Sequence, residues 1–130
     1  MNGTVLAYLG DAVMALWTKE YLVELGYTKS KDLQQLSERY LSANAQSDFM
    51  KSLLDQDVLT PDELSIYHRG RNTKTDTIPK NSDVFSYRVA TGLEALWGHL
   101  YVSNQHARLR EIWDLFKTHV RSKYDTIPLR

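Results

Sequence analysis

Cysteine is absent from this sequence of 130 residues, which excludes disulfide scaffolds and thiolate metal sites. No apolar run approaches the roughly twenty residues needed to span a bilayer, and no charged leader precedes an apolar segment. Membrane spans and a secretory signal are therefore not expected, and a cytoplasmic location is. A Walker loop, a dinucleotide fingerprint, a Gly-x-Ser-x-Gly elbow and a cysteine nucleophile are all missing, so the common nucleotide and acyl-transfer chemistries lack their parts. Sustained apolar-polar alternation is missing too, which argues against strands. Net charge is zero, with 16 basic and 16 acidic residues, and taken as a total this speaks against a nucleic-acid partner.

The totals conceal segregation. Residues 1–67 carry five Lys or Arg against ten Asp or Glu, whereas residues 68–88 carry Arg69, Arg71, Lys74, Lys80 and Arg88 against only Asp76 and Asp83. Residues 105–130 add six basic against three acidic side chains. The chain is electrically polarised along its length. Its content of 42 % hydrophobic, 25 % charged and 11 % aromatic residues fits a folded chain, and its length fits one domain over residues 1–130.

Apolar residues recur at three- and four-residue steps almost throughout. Leu6, Leu9, Val13, Leu16, Trp17, Tyr21 and Leu25 predict a long first helix, apolar around much of its circumference and closed by Gly26. From Ser30 to about Leu54 the pattern predicts a short helix and then a longer one, with a break at Ser42 or Ser47. Thr60-Pro61-Asp62-Glu63 is a strong helix start, with a capping hydroxyl, proline at the first position and acids facing the helix dipole. That helix is expected to stop near Gly70. Residues 70–82 are polar, rich in threonine and basic, and read as a loop. Ser82 is expected to cap a helix through Val84, Leu93, Trp97 and Leu100, and a last helix should run from about Gln105 to Val120. The fold class is all-α. Asp-Thr-Ile-Pro occurs at both 76–79 and 125–128, too short a match to make a structural repeat.

Two acids sit where acids are costly. Asp11 lies inside the most hydrophobic helix, and Glu94 lies between Leu93 and Ala95. Each must be paired, exposed at a groove or bound to metal, and two isolated carboxylates on two apolar helices suggest one shared site. Gly10, Gly92 and Gly98 each cost about 1 kcal/mol relative to alanine inside a helix, a cost that close helix packing would explain. The four histidines form no ligand constellation; His106 and His119 are expected to face solvent, and the aromatics fall at core spacing.

Tyr8-Leu9-Gly10-Asp11-Ala12-Val13 resembles the signature helix of the ribonuclease III catalytic domain, and Thr91-Gly92-Leu93-Glu94-Ala95-Leu96-Trp97-Gly98 resembles its second acidic helix. Between them, His68-Arg69-Gly70-Arg71-Asn72, Ile78-Pro79-Lys80-Asn81 and Tyr87-Arg88 resemble the Mini-III branch, which lacks a separate double-stranded-RNA-binding domain. The blocks occur in the family's order and span residues 5 to 103.

The resemblance implies an all-α endonuclease fold acting as a homodimer, with a positively charged valley that accepts double-stranded RNA. It implies magnesium, with manganese as a substitute, and hydrolysis leaving a 5′ phosphate and a 3′ hydroxyl. It further implies a role in precursor large-subunit (23S) ribosomal RNA maturation, with a ribosomal protein as a candidate partner. Asp11 and Glu94 become the expected catalytic metal ligands, and Thr91 an expected ligand through water. Arg69, Arg71, Asn72, Lys74, Lys80 and Arg88 become the expected RNA contacts. Larger family members carry acids where this chain has Thr4, Ala7 and Thr91, and Asp32 is only a loose match to a further family acid. Those losses leave an alternative open, a non-catalytic RNA-binding or ribosome-associated scaffold.

Overall fold

A computed structural model describes residues 1–73 and 83–129. Six helices follow in order: α1 (Gly3–Glu24), α2 (Ser30–Leu41), α3 (Ala43–Asp55), α4 (Pro61–Arg71), α5 (Val84–Val102) and α6 (His106–Lys123). No strand occurs among the described residues, and none of these helices is long and apolar enough to cross a membrane.

Local chemistry sets the helix ends. Leu25 caps α1, Gly26 adopts φ +104°, and the Gly26 and Tyr27 amides donate back to the Val23 and Leu22 carbonyls in a Schellman closure. Ser42 makes the break predicted near there: it ends α2 and caps α3 by accepting from the Ala45 amide at 3.1 Å, while Ser47 lies within α3. Thr60 and Glu63 form a reciprocal capping box at 2.9 and 3.1 Å with Pro61 in the first turn. One expected boundary moves. The cap of α5 is Asp83, whose carboxylate accepts from the Ser86 amide at 2.7 Å, and Ser82 lies outside the described residues. α4 ends at Arg71, next to the expected stop near Gly70.

α5 is the central helix. Buried side chains surround its middle, and α1, α3 and α4 pack along it while α6 closes the remaining side. Trp17, Trp97 and Trp113 meet edge to face with ring centroids 6.0–6.1 Å apart, and Phe116 stacks on Phe49 at 4.6 Å. Most aromatics at helical spacing, among them Tyr40, Phe49, Tyr67, Trp97, Trp113 and Phe116, are core as expected, whereas Tyr8, Phe85 and Tyr101 are exposed. His119 is not solvent-facing: its ring lies against Phe49, with its Nε2 3.4 Å from Asp48. A buried carboxylate ties the α4 start to α6. Burial alone would raise the Glu63 carboxyl, but hydrogen bonds from Arg108 and Thr60 outweigh it and hold Glu63 below the usual range. Arg108 donates twice to that carboxylate and once to the Val58 carbonyl, each at 2.8 Å.

The glycines decide how closely the helices approach. A Cβ on Gly10 would overlap the Glu94 carbonyl oxygen, and one on Gly98 would overlap the Leu6 carbonyl oxygen. A Cβ on Gly92 would sit 2.6 Å from the Tyr67 ring, and one on Gly70 2.5 Å from the Ala95 Cβ. The expected close packing at Gly10, Gly92 and Gly98 is present, and Gly70 joins them. Because Gly98 meets backbone that cannot rotate away, Gly98→Ala should cost about 3 kcal/mol in urea unfolding, the upper end of overpacking costs. Gly26→Ala should cost only about 1 kcal/mol, the price of φ > 0 without glycine.

Candidate active site

The α1–α5 crossing determines the site. Gly10 lies against the Glu94 backbone, so the next residue of α1, Asp11, is brought to the Glu94 side chain. Asp11 acts on the Glu94 carboxyl both as a hydrogen-bonding neighbour and as a negative charge. Asp11 is exposed at the surface of α1, whereas Glu94 is half-buried. The helices thus bring the two isolated acids together.

Its electrostatics are unusual for a surface acid. Burial, and then the hydrogen bond and negative charge of Asp11, push the Glu94 carboxyl up to about 9. Among the described residues neither acid is ion-paired with a Lys, Arg or His, although Glu63, Asp48, Glu111 and Asp114 all are. Thr91 stands one helical turn before Glu94, and its hydroxyl donates to the Tyr87 carbonyl at 2.9 Å, leaving the oxygen's lone pairs free to accept from water. No group of three His, Asp or Glu side chains able to hold a metal occurs among the described residues. Two oxygen donors in contact, without a cation, suit a hard divalent ion that keeps several of its own waters.

The expected RNA contacts lie on the neighbouring helix end. Gly70 fits against Thr91, Gly92 and Ala95, which places the C-terminal turn of α4 within about a turn of Glu94. Arg69 and Asn72 are exposed there, and Arg71 is half-buried with its guanidinium 5.8 Å above the Tyr67 ring. Arg69 reaches the Met1 carbonyl at 2.9 Å, and the Thr73 hydroxyl donates to the Arg69 carbonyl at 2.9 Å, tying the end of α4 to the start of α1. Arg88 is exposed in the second turn of α5. Lys74 and Lys80 lie outside the described residues. Asp32 does not join the acids: it is buried in the first turn of α2, beyond the far end of α1, beside a cavity shared with residues 125–128.

The apolar circumference expected for α1 leaves one row of it exposed, which the sequence alone did not single out. Val5, Tyr8, Ala12, Leu16 and Val23 follow one another at three-, four- and seven-residue steps on the outer face, and Tyr8, at 80 % exposure, is the most exposed large hydrophobic side chain among the described residues. Leading off this row is a groove of about 640 Å³ between α1 and α2, lined by Lys19, Val23, Leu33 and Leu41 among others.

An acid pair on two glycine-packed helices, beside a basic helix end, is an arrangement suited to a nuclease. The ribonuclease III domain pattern matches residues 4–105. Mini-ribonuclease 3 of Enterococcus faecalis is 46 % identical over 112 residues, covering 86 % of this chain and 85 % of that protein. Mini-ribonuclease 3 of Staphylococcus aureus is 36 % identical over 95 % of this chain and 92 % of its own length. A crystal structure of a Fusobacterium nucleatum protein superposes with a TM-score of 0.80 at 28 % identity, covering 88 % of this chain and 91 % of that one. The chain belongs to the ribonuclease III family of endoribonucleases.

The raised Glu94 carboxyl has a stability consequence. A folded-state value near 9, above the ordinary 4.5, means folding retains a proton. Its stabilising effect is complete below about 4.5 and is lost as pH rises through about 9. In EDTA, urea-derived stability should therefore fall between these limits, and Glu94→Gln should remove most of the slope; an unchanged slope would contradict the assignment.

Proposed function

We infer that the protein is a divalent-metal-dependent endoribonuclease that cleaves double-stranded RNA as a homodimer, and that its substrate is precursor large-subunit (23S) ribosomal RNA. The observation that carries this reading is the Asp11–Glu94 carboxyl contact, left without a cationic side chain among the described residues. The names of the relatives support the RNA substrate, and the choice of ribosomal precursor rests on the family resemblance. Magnesium, or manganese in its place, supplies when bound an acidified water that hydrolyses the phosphodiester to a 5′ phosphate and a 3′ hydroxyl.

Asp11 and Glu94 hold the cation through carboxylate oxygens, and binding requires Glu94 to give up the proton that burial and Asp11 favour. Thr91 orients a water by accepting its hydrogen bond. Arg69, Arg71, Asn72 and Arg88, together with Lys74 and Lys80, contact the RNA backbone, so recognition leans on the shape and charge of an A-form duplex. A ribosomal protein that presents the RNA is a further partner in this reading, and the setting is the cytoplasm.

The homodimer reading rests on the outer row of α1. Two copies of α1 packed antiparallel about a point between Ala12 and Leu16 would bury that row and bring Tyr8 of each copy to the mouth of the other's α1–α2 groove. A second functional reading, an RNA-binding scaffold without catalysis, is favoured by the small acid set: Ala7 and Thr91 stand where larger family members carry carboxylates, and two acids remain in contact.

Incubating a labelled RNA duplex with magnesium or EDTA separates the two. Asp11→Asn and Glu94→Gln should each lower cleavage by about a thousandfold, roughly 4 kcal/mol of barrier, with RNA affinity nearly unchanged. Tight duplex binding by the parent protein with no cleavage would favour the scaffold instead. Leu16→Glu should yield a monomer in sedimentation velocity, and a persistent dimer would refute the α1 interface.

A further inference from the structure

The chain does not end at α6. Tyr124 leaves the helix in extended form, and residues 125–129, without regular secondary structure, cross α2 and the α1–α2 turn. Arg39 donates to the Asp125 carbonyl at 2.8 Å and places its guanidinium 4.8 Å above the Tyr124 ring. The Tyr27 hydroxyl donates to the Ile127 carbonyl. The Ile127 side chain packs with Leu33 against the buried cluster of Leu22, Tyr27 and Leu36, and Leu129 lies over Gly26. This is side-chain chemistry aimed at tail backbone at two points, with an apolar anchor between them.

The segment beneath the tail is short of local restraints. Lys29 stands at the N-cap of α2 and makes no side-chain capping bond, so nothing at that helix start does what Ser42 does for α3 or Thr60 for α4. The same turn and first helical turns supply Thr28, Ser30 and Leu33 to the wall of the α1–α2 groove. Leu33 is the shared element: it lines the groove and also packs on the cluster that Ile127 completes.

We propose that residues 124–129 brace the subunit-docking groove, so that seating of the tail strengthens association with a second copy of this chain. The proposal rests on the α1 dimer reading above. The tail does not enter the groove; it fixes Leu33 and the Thr28–Ser30 turn from behind. Dimer formation and tail seating then favour each other reciprocally, because each stabilises the same placement of α2.

Sedimentation velocity over a concentration series tests this on the full chain, a chain ending at Lys123, Ile127→Asp and Tyr27→Phe, with circular dichroism on each. The truncated chain and Ile127→Asp should retain their helical content while dimer dissociation constants rise by about tenfold, equivalent to 1.4 kcal/mol. Cleavage should fall at dilute enzyme and recover as enzyme concentration increases, a recovery that damage confined to the active site would not show. Dissociation constants within about twofold of the parent for both variants, while Leu16→Glu is monomeric, would overturn the brace and leave the α1 interface standing. A dimeric Leu16→Glu would overturn the interface and the brace together. Should the shortened chain and Ile127→Asp lose helical content, Tyr27→Phe decides: weaker dimerisation supports the brace and unchanged dimerisation overturns it.

Discussion

The backbone contact between α1 and α5 at Gly10 and Gly98 is the constraint on which the rest of the molecule depends. Each glycine faces a carbonyl oxygen of the opposite helix, leaving no room for a Cβ. The helices are therefore locked in register as well as in distance, since sliding either by one residue would present a side chain to backbone. Asp11 and Glu94 inherit their contact from that register. The Gly70–Gly92 approach does the same for the basic end of α4. Four glycines, each costly in an isolated helix, thus define the acid pair and the cationic surface beside it.

The treatment of charge differs sharply across the structure. Glu63 is buried and matched by a two-bond contact with Arg108, and Asp48 is held below its usual range by hydrogen bonding to Lys123. Asp11 and Glu94 instead meet each other. Glu63 and Asp48 each meet a cationic side chain, whereas Glu94 holds a proton against Asp11, and a positive ion is a natural replacement for that proton. The segregation of charge along the sequence has the same direction, with Arg69 and Arg71 in the last turn of α4 and Arg88 in the second turn of α5, none of them ion-paired among the described residues.

Much of this was legible from residues alone, for identifiable reasons. The Thr60–Pro61–Glu63 start is encoded within four residues, so the capping box could be read locally. Asp11 and Glu94 stood out because carboxylates on apolar helix faces are expensive, and the mid-helix glycines because they demand a packing reason. The outer row of α1 was not resolved because the helix is apolar around much of its circumference: periodicity identifies Leu6 and Leu16 equally well, yet the structure buries the first and exposes the second. His119 was misplaced because its burial depends on Phe49, far away in sequence. The docked tail carries no helical period, and its anchors, Tyr27 and Arg39, lie about a hundred residues away at most, so no local signal marks it.

The central claim is that the Asp11–Glu94 pair is a divalent-cation site. Anomalous diffraction from a crystal of the protein soaked in manganese tests it most directly. The account predicts one anomalous peak in coordination distance of both carboxylates, with Thr91 linked to it through water. A fully soaked crystal with no peak at the pair, or with manganese bound only elsewhere, would contradict it.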